Sequence, residues 1–171
     1  MYQVLIVDDE PMVKIALRSM IDWNELGFHI CATASNGEEA LEMTCRFHPD
    51  LIICDLKMPI MDGLELIRAV QKKNIDCEFL VISNYEDFNY VRTALVLGAA
   101  DYILKVSISP EELTEQLKKL KEKLDQKSEK EEHLMSMPEC ICFFDGSRGS
   151  SRTPNGDVTK KKSSRLSGKE Y

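Results

Sequence analysis

Five short apolar runs recur along the chain, and they restrict its fold more than any other feature of the sequence. They occupy residues 4–7, 29–33, 51–54, 79–82 and 102–104. Four of these runs lack clear alternation of apolar and polar residues, which is typical of strands that are buried on both faces of a parallel sheet. The sequence therefore predicts a sheet whose strands are covered from both sides.

Segments with helical spacing separate the apolar runs. The first begins at Pro11, the second follows Asn36 as a helix cap, and the fourth ends at Gly98. Their apolar stripes are Val13, Ala16, Leu17, Met20 and Ile21; Ala40, Leu41, Thr44 and Cys45; Leu66, Ile67 and Val70; Val91, Ala94 and Leu95; and Leu113, Leu117, Leu120 and Leu124. Because strand and helix alternate five times, we expect an α/β fold of the (βα)5 type, a doubly wound parallel five-stranded sheet with helices on both faces.

The last helical pattern continues into a charged stretch that ends near residue 132, so we expect an extended last helix. The composition changes after His133, since residues 134–171 hold 7 basic and 4 acidic side chains and few large hydrophobic ones. Such a segment buries too little apolar surface to offset its chain entropy. We therefore expect a globular domain over residues 1–125, a charged helical extension over 126–133 and a disordered tail over 134–171.

The overall charge and the absence of long apolar runs exclude several classes of protein. A net charge of −7 argues against a surface that binds nucleic acid mainly by neutralising phosphates. No apolar run approaches the ~20 residues that span a bilayer, which argues against a membrane partner. The first residues lack the basic start of a secretory signal, so the expected location is the cytoplasm.

Charged and polar side chains follow four of the five predicted strands. Asp8 and Asp9 follow the first, Asp55 the third, Ser83 the fourth and Lys105 the fifth. Because the carboxyl ends of parallel strands meet at one rim, these side chains are expected to converge. Crowded carboxylates repel unless a cation neutralises them, and oxygen ligands of this kind suit Mg²⁺. One aspartate could then attack phosphorus, with the amine and the hydroxyl contacting the transferred oxygens.

Four motifs in the same places resemble the receiver domain of two-component response regulators. They are VLIVDDEP at residues 4–11, CDLKMPIMDG at 54–63, VIS at 81–83 and GAADYILK at 98–105, and the resemblance extends over about residues 2–125. It implies a flavodoxin-like strand order 2-1-3-4-5. IDWNELGF at 21–28 and NYEDF at 84–88 are similar to the subgroup that carries an AraC-type helix-turn-helix output, which implies transcription regulation.

The resemblance implies a phosphorylation site rather than the active site of a turnover enzyme. Asp55 matches the phosphoacceptor, which takes a phosphoryl group from a histidine of a sensor kinase in a Mg²⁺-dependent reaction. Asp8 and Asp9 match the residues that hold Mg²⁺, together with Asp55 and the backbone carbonyl of Lys57.

The resemblance also implies a conformational switch. Ser83 and Tyr102 match a pair in which the hydroxyl moves to the phosphoryl group and the aromatic ring turns inward, and Lys105 matches the lysine that contacts a phosphoryl oxygen. The face made of the fourth helix, fifth strand and fifth helix is the one that such proteins use to transmit the change, so a homodimer through this face is a further expectation.

The sequence departs from the family pattern at residue 106. Receivers usually have proline after the lysine, with a cis peptide bond, whereas this chain has Val106. A cis bond costs about 2.5–4 kcal/mol before other residues and about 0.5–1 kcal/mol before proline. We nevertheless expect Lys105 to reach the acidic rim, and weaker or slower phosphorylation is one consequence that the substitution allows.

A second departure concerns the output module. A paired AraC-type helix-turn-helix module needs roughly 100 residues, close to a small domain, whereas 38 residues follow His133. We therefore expect no DNA binding from this chain alone. The sequence leaves open whether the end is natural, frameshifted or added.

Two other functions fit parts of the pattern. One is a receiver-like module that binds partners without phosphorylation, which Val106 favours and the retained Asp55 opposes. The other is a Mg²⁺-dependent phosphohydrolase with an aspartyl nucleophile. Such enzymes have Asp-x-Asp after the first strand, whereas Asp8 and Asp9 are adjacent here.

Overall fold

The computed structural model of the protein describes residues 1–83 and 88–135, with side chains described through residue 129 except those of 88 and 89. Its elements are β1 (Tyr2–Val7), α1 (Pro11–Met20), β2 (Phe28–Ala34), α2 (Gly37–Phe47), β3 (Leu51–Asp55), α3 (Gly63–Lys72), β4 (Glu78–Ser83), α4 (Phe88–Val96), β5 (Asp101–Leu104) and α5 (Pro110–Met135). A single 3₁₀ turn, Lys105–Ser107, links β5 to α5. The disordered tail is predicted for residues 134–171, and from residue 136 onward this prediction lies outside the residues that the structure describes.

The five strands form one parallel sheet in the order β2-β1-β3-β4-β5. This confirms both the predicted (βα)5 fold and the strand order that the motifs imply. Every residue of β3 and β4 is buried, which explains why those runs show no polar alternation.

Neighbouring residues of each central strand face opposite sides of the sheet, and each side has its own hydrophobic core. Leu5 and Ile52 belong to the core that α2, α3 and α4 cover. Ile6 and Ile53 belong to the core that α1 and α5 cover. The sheet is therefore doubly wound, and its carboxyl-end rim lies between two layers of helices.

The apolar stripe predicted for α1 is narrower in the structure than in the sequence. Leu17 is its one fully buried member, Ala16 is exposed, and Ile21 lies beyond the end of the helix in extended backbone. The chain leaves the helix after Met20 because Trp23 folds back and donates its indole N–H to the carbonyl of Leu17 at 3.1 Å. The prediction for Leu95 in α4 is also wrong, since this side chain is exposed.

Local capping positions the helices that follow the rim. Asn36 Oδ1 accepts a hydrogen bond from Glu39 N at 2.9 Å at the start of α2, which confirms the predicted cap. At the start of α3, Asp62 and Glu65 form a reciprocal capping box. α3 consequently begins at a defined point, eight residues after Asp55.

The extended last helix is confirmed, because α5 comprises 26 residues. Its leucine stripe packs against the sheet, and polar contacts extend the attachment toward the far end. Lys123 Nζ lies 2.7 Å from Glu78 Oε2 at the start of β4. Lys127 pairs with Asp76 just before that strand, and Tyr2 in β1 donates its hydroxyl hydrogen to Asp125. No helix in the described ranges 1–83 and 88–135 is both long and apolar enough to cross a membrane.

Replacing Glu78 with glutamine is expected to loosen this attachment and to lower the free energy of unfolding by about 1 kcal/mol. Glu78 is only 8% exposed and pairs with Lys123, whereas the Lys123 side chain is half exposed, which limits the loss of stability. Urea denaturation and hydrogen exchange of residues 121–128 measure it. Glu115→Gln is the control, since Glu115 forms a solvent-exposed pair with Lys119. Equal effects of the two substitutions would contradict the attachment.

Candidate functional site

The rim at the carboxyl ends of the strands collects the predicted site residues. Asp8 follows β1, Asp55 ends β3, Ser83 ends β4 and Lys105 follows β5. Asp8, Asp55 and Ser83 are buried, and the side chain of Lys105 is 8% exposed. The parallel sheet thus brings together residues that are almost a hundred positions apart in the sequence.

The Lys105 ammonium lies among three carboxylates. Its Nζ atom is 2.6 Å from Asp55 Oδ2, 3.0 Å from Asp8 Oδ2 and 3.1 Å from Glu10 Oε1. The expectation that Lys105 reaches the rim is therefore confirmed, although Val106 follows it. Val106 itself is exposed, in the 3₁₀ turn that leads to α5.

Backbone amides hold one oxygen of each buried aspartate. Asp55 Oδ1 accepts hydrogen bonds from Leu56 N at 2.6 Å and, more weakly, from Lys57 N at 3.4 Å. Asp8 Oδ1 accepts one from Glu10 N at 2.9 Å. In both residues the other oxygen, Oδ2, faces Lys105. The two carboxylates therefore have fixed orientations, with one oxygen each directed at the shared cation.

Burial and charge shift the proton affinities of this cluster in defined directions. Burial raises the pKa of Asp8 above its ordinary value, and the hydrogen bond from Glu10 N and the Lys105 ammonium offset only part of this. Burial alone would lower the pKa of Lys105, but its hydrogen bonds to Asp55 and Asp8 outweigh burial and raise it. Lys105 therefore remains a cation at neutral pH.

Ser83 Oγ is buried and has no hydrogen-bond partner among the residues that the structure describes. A buried hydroxyl without a partner typically costs about 1–3 kcal/mol. Tyr102 in β5 is paired with Val81 in β4, and Val81 lies two residues before Ser83 in the same strand. Because side chains two residues apart in a strand point to the same face, Tyr102 and Ser83 lie on the same side of the sheet. The tyrosine is 39% exposed, at the surface of the layer that contains α4. The switch roles of these two residues stay predictions.

The donor set of the rim fits a hard divalent cation. Asp8, Asp9 and Glu10 each offer one carboxylate oxygen, and these three atoms lie within 4.8 Å of one another. Carboxylate oxygens are the side-chain ligands that Mg²⁺ prefers. No role was predicted for Glu10, although its position directly after Asp8 and Asp9 was a signal. The predicted ligand set of Asp8, Asp9, Asp55 and the Lys57 carbonyl stays a prediction.

The loop between β3 and α3 is held against the rim by its backbone. Gly63 N donates to the carbonyl of Leu56 at 2.9 Å, and Gly37 N donates to the carbonyl of Met61 at 3.0 Å. Between these anchors, Met61 N donates to the carbonyl of Pro59 at 2.8 Å, and Ile60 has a φ of 72°. This is a γ-turn with positive φ, a strained conformation for a β-branched residue.

Replacing Ile60 with asparagine is expected to stabilise the protein by about 1 kcal/mol, because asparagine tolerates positive φ. Little burial is lost, since Ile60 is 74% exposed. Chemical denaturation measures the change. Val96→Asn is the control, because Val96 is also a highly exposed apolar residue and lies at the end of α4. A lower stability of Ile60→Asn than of wild type would show that the turn is not strained.

Comparison with known proteins identifies a family whose model matches most of this chain. A family model described as the response regulator receiver domain matches residues 4–118. The uncharacterized transcriptional regulatory protein YesN of Bacillus subtilis (strain 168) is 38% identical over 105 residues. That match covers 61% of this chain and 28% of YesN, so the chain spans only part of the length of this relative.

Solved structures agree with the sequence matches. The REC domain of AraT, a response regulator from Geobacillus stearothermophilus, superimposes with a TM-score of 0.70 at 42% identity, covering 74% of this chain and 98% of that one. A two component transcriptional regulator AraC from Clostridium phytofermentans gives 0.66 at 31% identity, covering 74% and 97%. The CheX-CheY-BeF3-Mg complex from Borrelia burgdorferi gives 0.61 at 26% identity, covering 68% and 86%.

Proposed function

The chain belongs to the response regulator receiver domain family, and we propose that it is the phosphoacceptor of a two-component relay. Asp55 takes a phosphoryl group from a histidine of a sensor kinase. The observation that supports this proposal most directly is the set of contacts made by the Asp55 carboxylate. Its buried carboxylate has one oxygen on Leu56 N and the other 2.6 Å from the Lys105 ammonium. The backbone bond thus orients the carboxylate, and the ammonium is in place to meet the charge of an incoming phosphoryl group.

The transfer is a substitution at phosphorus. A carboxylate oxygen of Asp55 forms the new O–P bond, the P–N bond to the donor histidine breaks, and its electron pair stays on the imidazole nitrogen. Lys105 stabilises the negative charge on the transferred oxygens. Ser83 donates its hydroxyl hydrogen to one of those oxygens, which would give a hydrogen bond to a buried Oγ that has no partner among the described residues.

Mg²⁺ belongs to this proposal because the rim presents a compatible set of carboxylates. Asp8, Asp9 and Asp55, with the backbone carbonyl of Lys57, would hold it. When bound, the ion supplies positive charge that offsets the charge of the transferred oxygens. The Borrelia structural relative in complex with BeF3 and Mg supports this assignment.

Phosphorylation would act on the side of the sheet that contains α4. The added charge of roughly −1.5 to −2 draws the Ser83 hydroxyl toward the phosphoryl group, and Tyr102 turns inward. Exposed side chains at Leu95, Val96 and Tyr102 give α4 and β5 an apolar surface. We assign a phosphorylation-dependent homodimer to the face made of α4, β5 and α5. The relay is placed in the cytoplasm, and its output is transcription regulation, as the names of the relatives support.

Incubation with acetyl phosphate and Mg²⁺, followed by intact mass measurement, tests the proposal. Wild type is expected to gain one phosphoryl group, and Asp55→Asn none. Asp22→Asn, in the loop after α1 and remote from the rim, is the control and should be modified like wild type. A wild type that gains no phosphoryl group supports the phosphorylation-independent module instead. Steady hydrolysis of unrelated phosphomonoesters would instead support the Mg²⁺-dependent phosphohydrolase, and the protein would then be a turnover enzyme.

A further inference from the structure

Lys57 contacts both the acceptor carboxylate and α4. Its backbone N–H points at Asp55 Oδ1 with an N···O distance of 3.4 Å. Its side chain crosses to α4, where the ammonium Nζ lies 5.9 Å from the centroid of the Tyr90 ring. Tyr90 is 41% exposed, and Lys57 is exposed as well. Lys57 therefore connects the loop that follows Asp55, residues 56–62, here called the acceptor loop, with the neighbouring helix α4.

The attraction between Lys57 and Tyr90 is of a kind that a phosphoryl group can outcompete. A cation–π contact between exposed side chains is weak, because water screens the charge and hydrates the ammonium. A phosphoryl group carries roughly −1.5 to −2 charges and offers three strong acceptor oxygens. Hydrogen bonds between ionised groups are about twice as strong as neutral ones. Because Lys57 is two residues from Asp55, its flexible side chain is within reach of both partners.

We propose that Lys57 is a phosphorylation-responsive link between the acceptor loop and α4. In the unphosphorylated protein the ammonium lies over Tyr90 and tethers α4 to the loop. When Asp55 carries a phosphoryl group, the ammonium pairs with it and leaves the ring. α4 then loses this tether, and the Tyr90 ring becomes accessible. The inference rests on the proposed function of Asp55, but it assigns Lys57 a side-chain role that is separate from its backbone carbonyl.

The link couples the charge at the rim to a helix without moving the sheet. The proposed change at Ser83 begins at a buried side chain, whereas the contact between Lys57 and Tyr90 lies between two exposed side chains. The two routes can therefore be separated by substitution. Removing the ammonium should leave α4 in the untethered state whether or not Asp55 carries a phosphoryl group.

Hydrogen exchange of residues 88–96 in the full chain, with and without acetyl phosphate and Mg²⁺, tests the link. In wild type, exchange of α4 should rise about twofold to fivefold on phosphorylation, the range that corresponds to an exposed cation–π contact. Lys57→Met keeps the apolar stem and removes the charge, so its exchange should already be raised without acetyl phosphate. Tyr90→Leu should behave in the same way. Lys57→Arg should restore the wild-type behaviour, because a guanidinium also stacks on an aromatic ring.

Arg46→Met is the matched control, because Arg46 forms a comparable contact with the Phe47 ring, 5.2 Å from its centroid, in a different helix. This variant should leave the exchange of α4 unchanged. The link is overturned when unphosphorylated Lys57→Met and wild type show the same α4 exchange, or when both show the same rise on phosphorylation. Intact masses of the same samples report on Asp55 separately, so a wild type without a phosphoryl group would count against the proposed function. The basal comparison of Lys57→Met with wild type would still decide whether the tether exists.

Discussion

Replacing Gly63 with alanine is expected to destabilise the protein by about 3 kcal/mol. A Cβ atom there would lie 2.4 Å from the carbonyl oxygen of Asp55 and 2.9 Å from the Cα atom of Leu56. Both are backbone atoms, so no side-chain rotation relieves the overlap. The backbone must move instead, which breaks the hydrogen bond from Gly63 N to the Leu56 carbonyl and displaces the acceptor.

Urea unfolding measures this effect, with the fluorescence of Trp23 as the signal, since the chain has one tryptophan and it is buried. Lys72→Ala, at an exposed position of the same helix, is the control and should change the stability little. If the two alanine variants unfold at the same urea concentration, α3 does not pack as closely against the end of β3 as the structure indicates.

Replacing Lys105 with methionine is expected to slow phosphorylation by acetyl phosphate about 10²-fold, because a positioned group that stabilises developing charge typically contributes this much. The same variant should bind Mg²⁺ about tenfold more tightly. In the wild type the ammonium lies 3.0 Å from Asp8 and 2.6 Å from Asp55, so it repels a second cation at the same carboxylates. The two effects are opposite in sign, which a general loss of structure would not produce.

Rates of phosphoryl gain by mass spectrometry and Mg²⁺ titration by calorimetry measure the two effects. Lys14→Met is the control, because Lys14 lies near the same edge of the sheet but donates to Ser35 Oγ and the Ala34 carbonyl. It should leave both quantities near their wild-type values. An unchanged phosphorylation rate in Lys105→Met would show that Lys105 does not contribute to phosphoryl transfer. Weaker Mg²⁺ binding in this variant would contradict competition between the Lys105 ammonium and Mg²⁺.

The sheet and the position of Lys105 could be predicted because they depend on patterns that are visible along the chain. Buried strands such as β3 have no polar alternation, and helices at 3.6-residue spacing must cover them. Parallel strands place their carboxyl ends together, so Asp55 and Lys105 had to converge although they are 50 positions apart in the sequence. The family resemblance carried by the same motifs is confirmed by the match over residues 4–118.

Other features depend on packing between distant segments and leave little trace in a single sequence. The exposure of Ala16 depends on how α1 is rotated against the sheet, an orientation that buries Leu17 instead. The positive φ of Ile60 depends on anchors at both ends of its loop, since an isoleucine gives no local signal for that conformation. The pairing of Glu78 with Lys123 joins residues 45 positions apart, and only the path of α5 across the sheet brings them together.

Mapping the phosphoryl group to a residue tests directly whether Asp55 is the phosphoacceptor. After reaction with acetyl phosphate and Mg²⁺, borohydride reduces an aspartyl phosphate to homoserine, and peptide mass spectrometry identifies the position. If Asp55 is the acceptor, homoserine appears at position 55 and at no other aspartate, and Asp55→Asn yields none. Homoserine at Asp8 or Asp9, or a phosphoryl group that resists borohydride in a wild type that has gained one, would contradict the assignment of Asp55 as the acceptor.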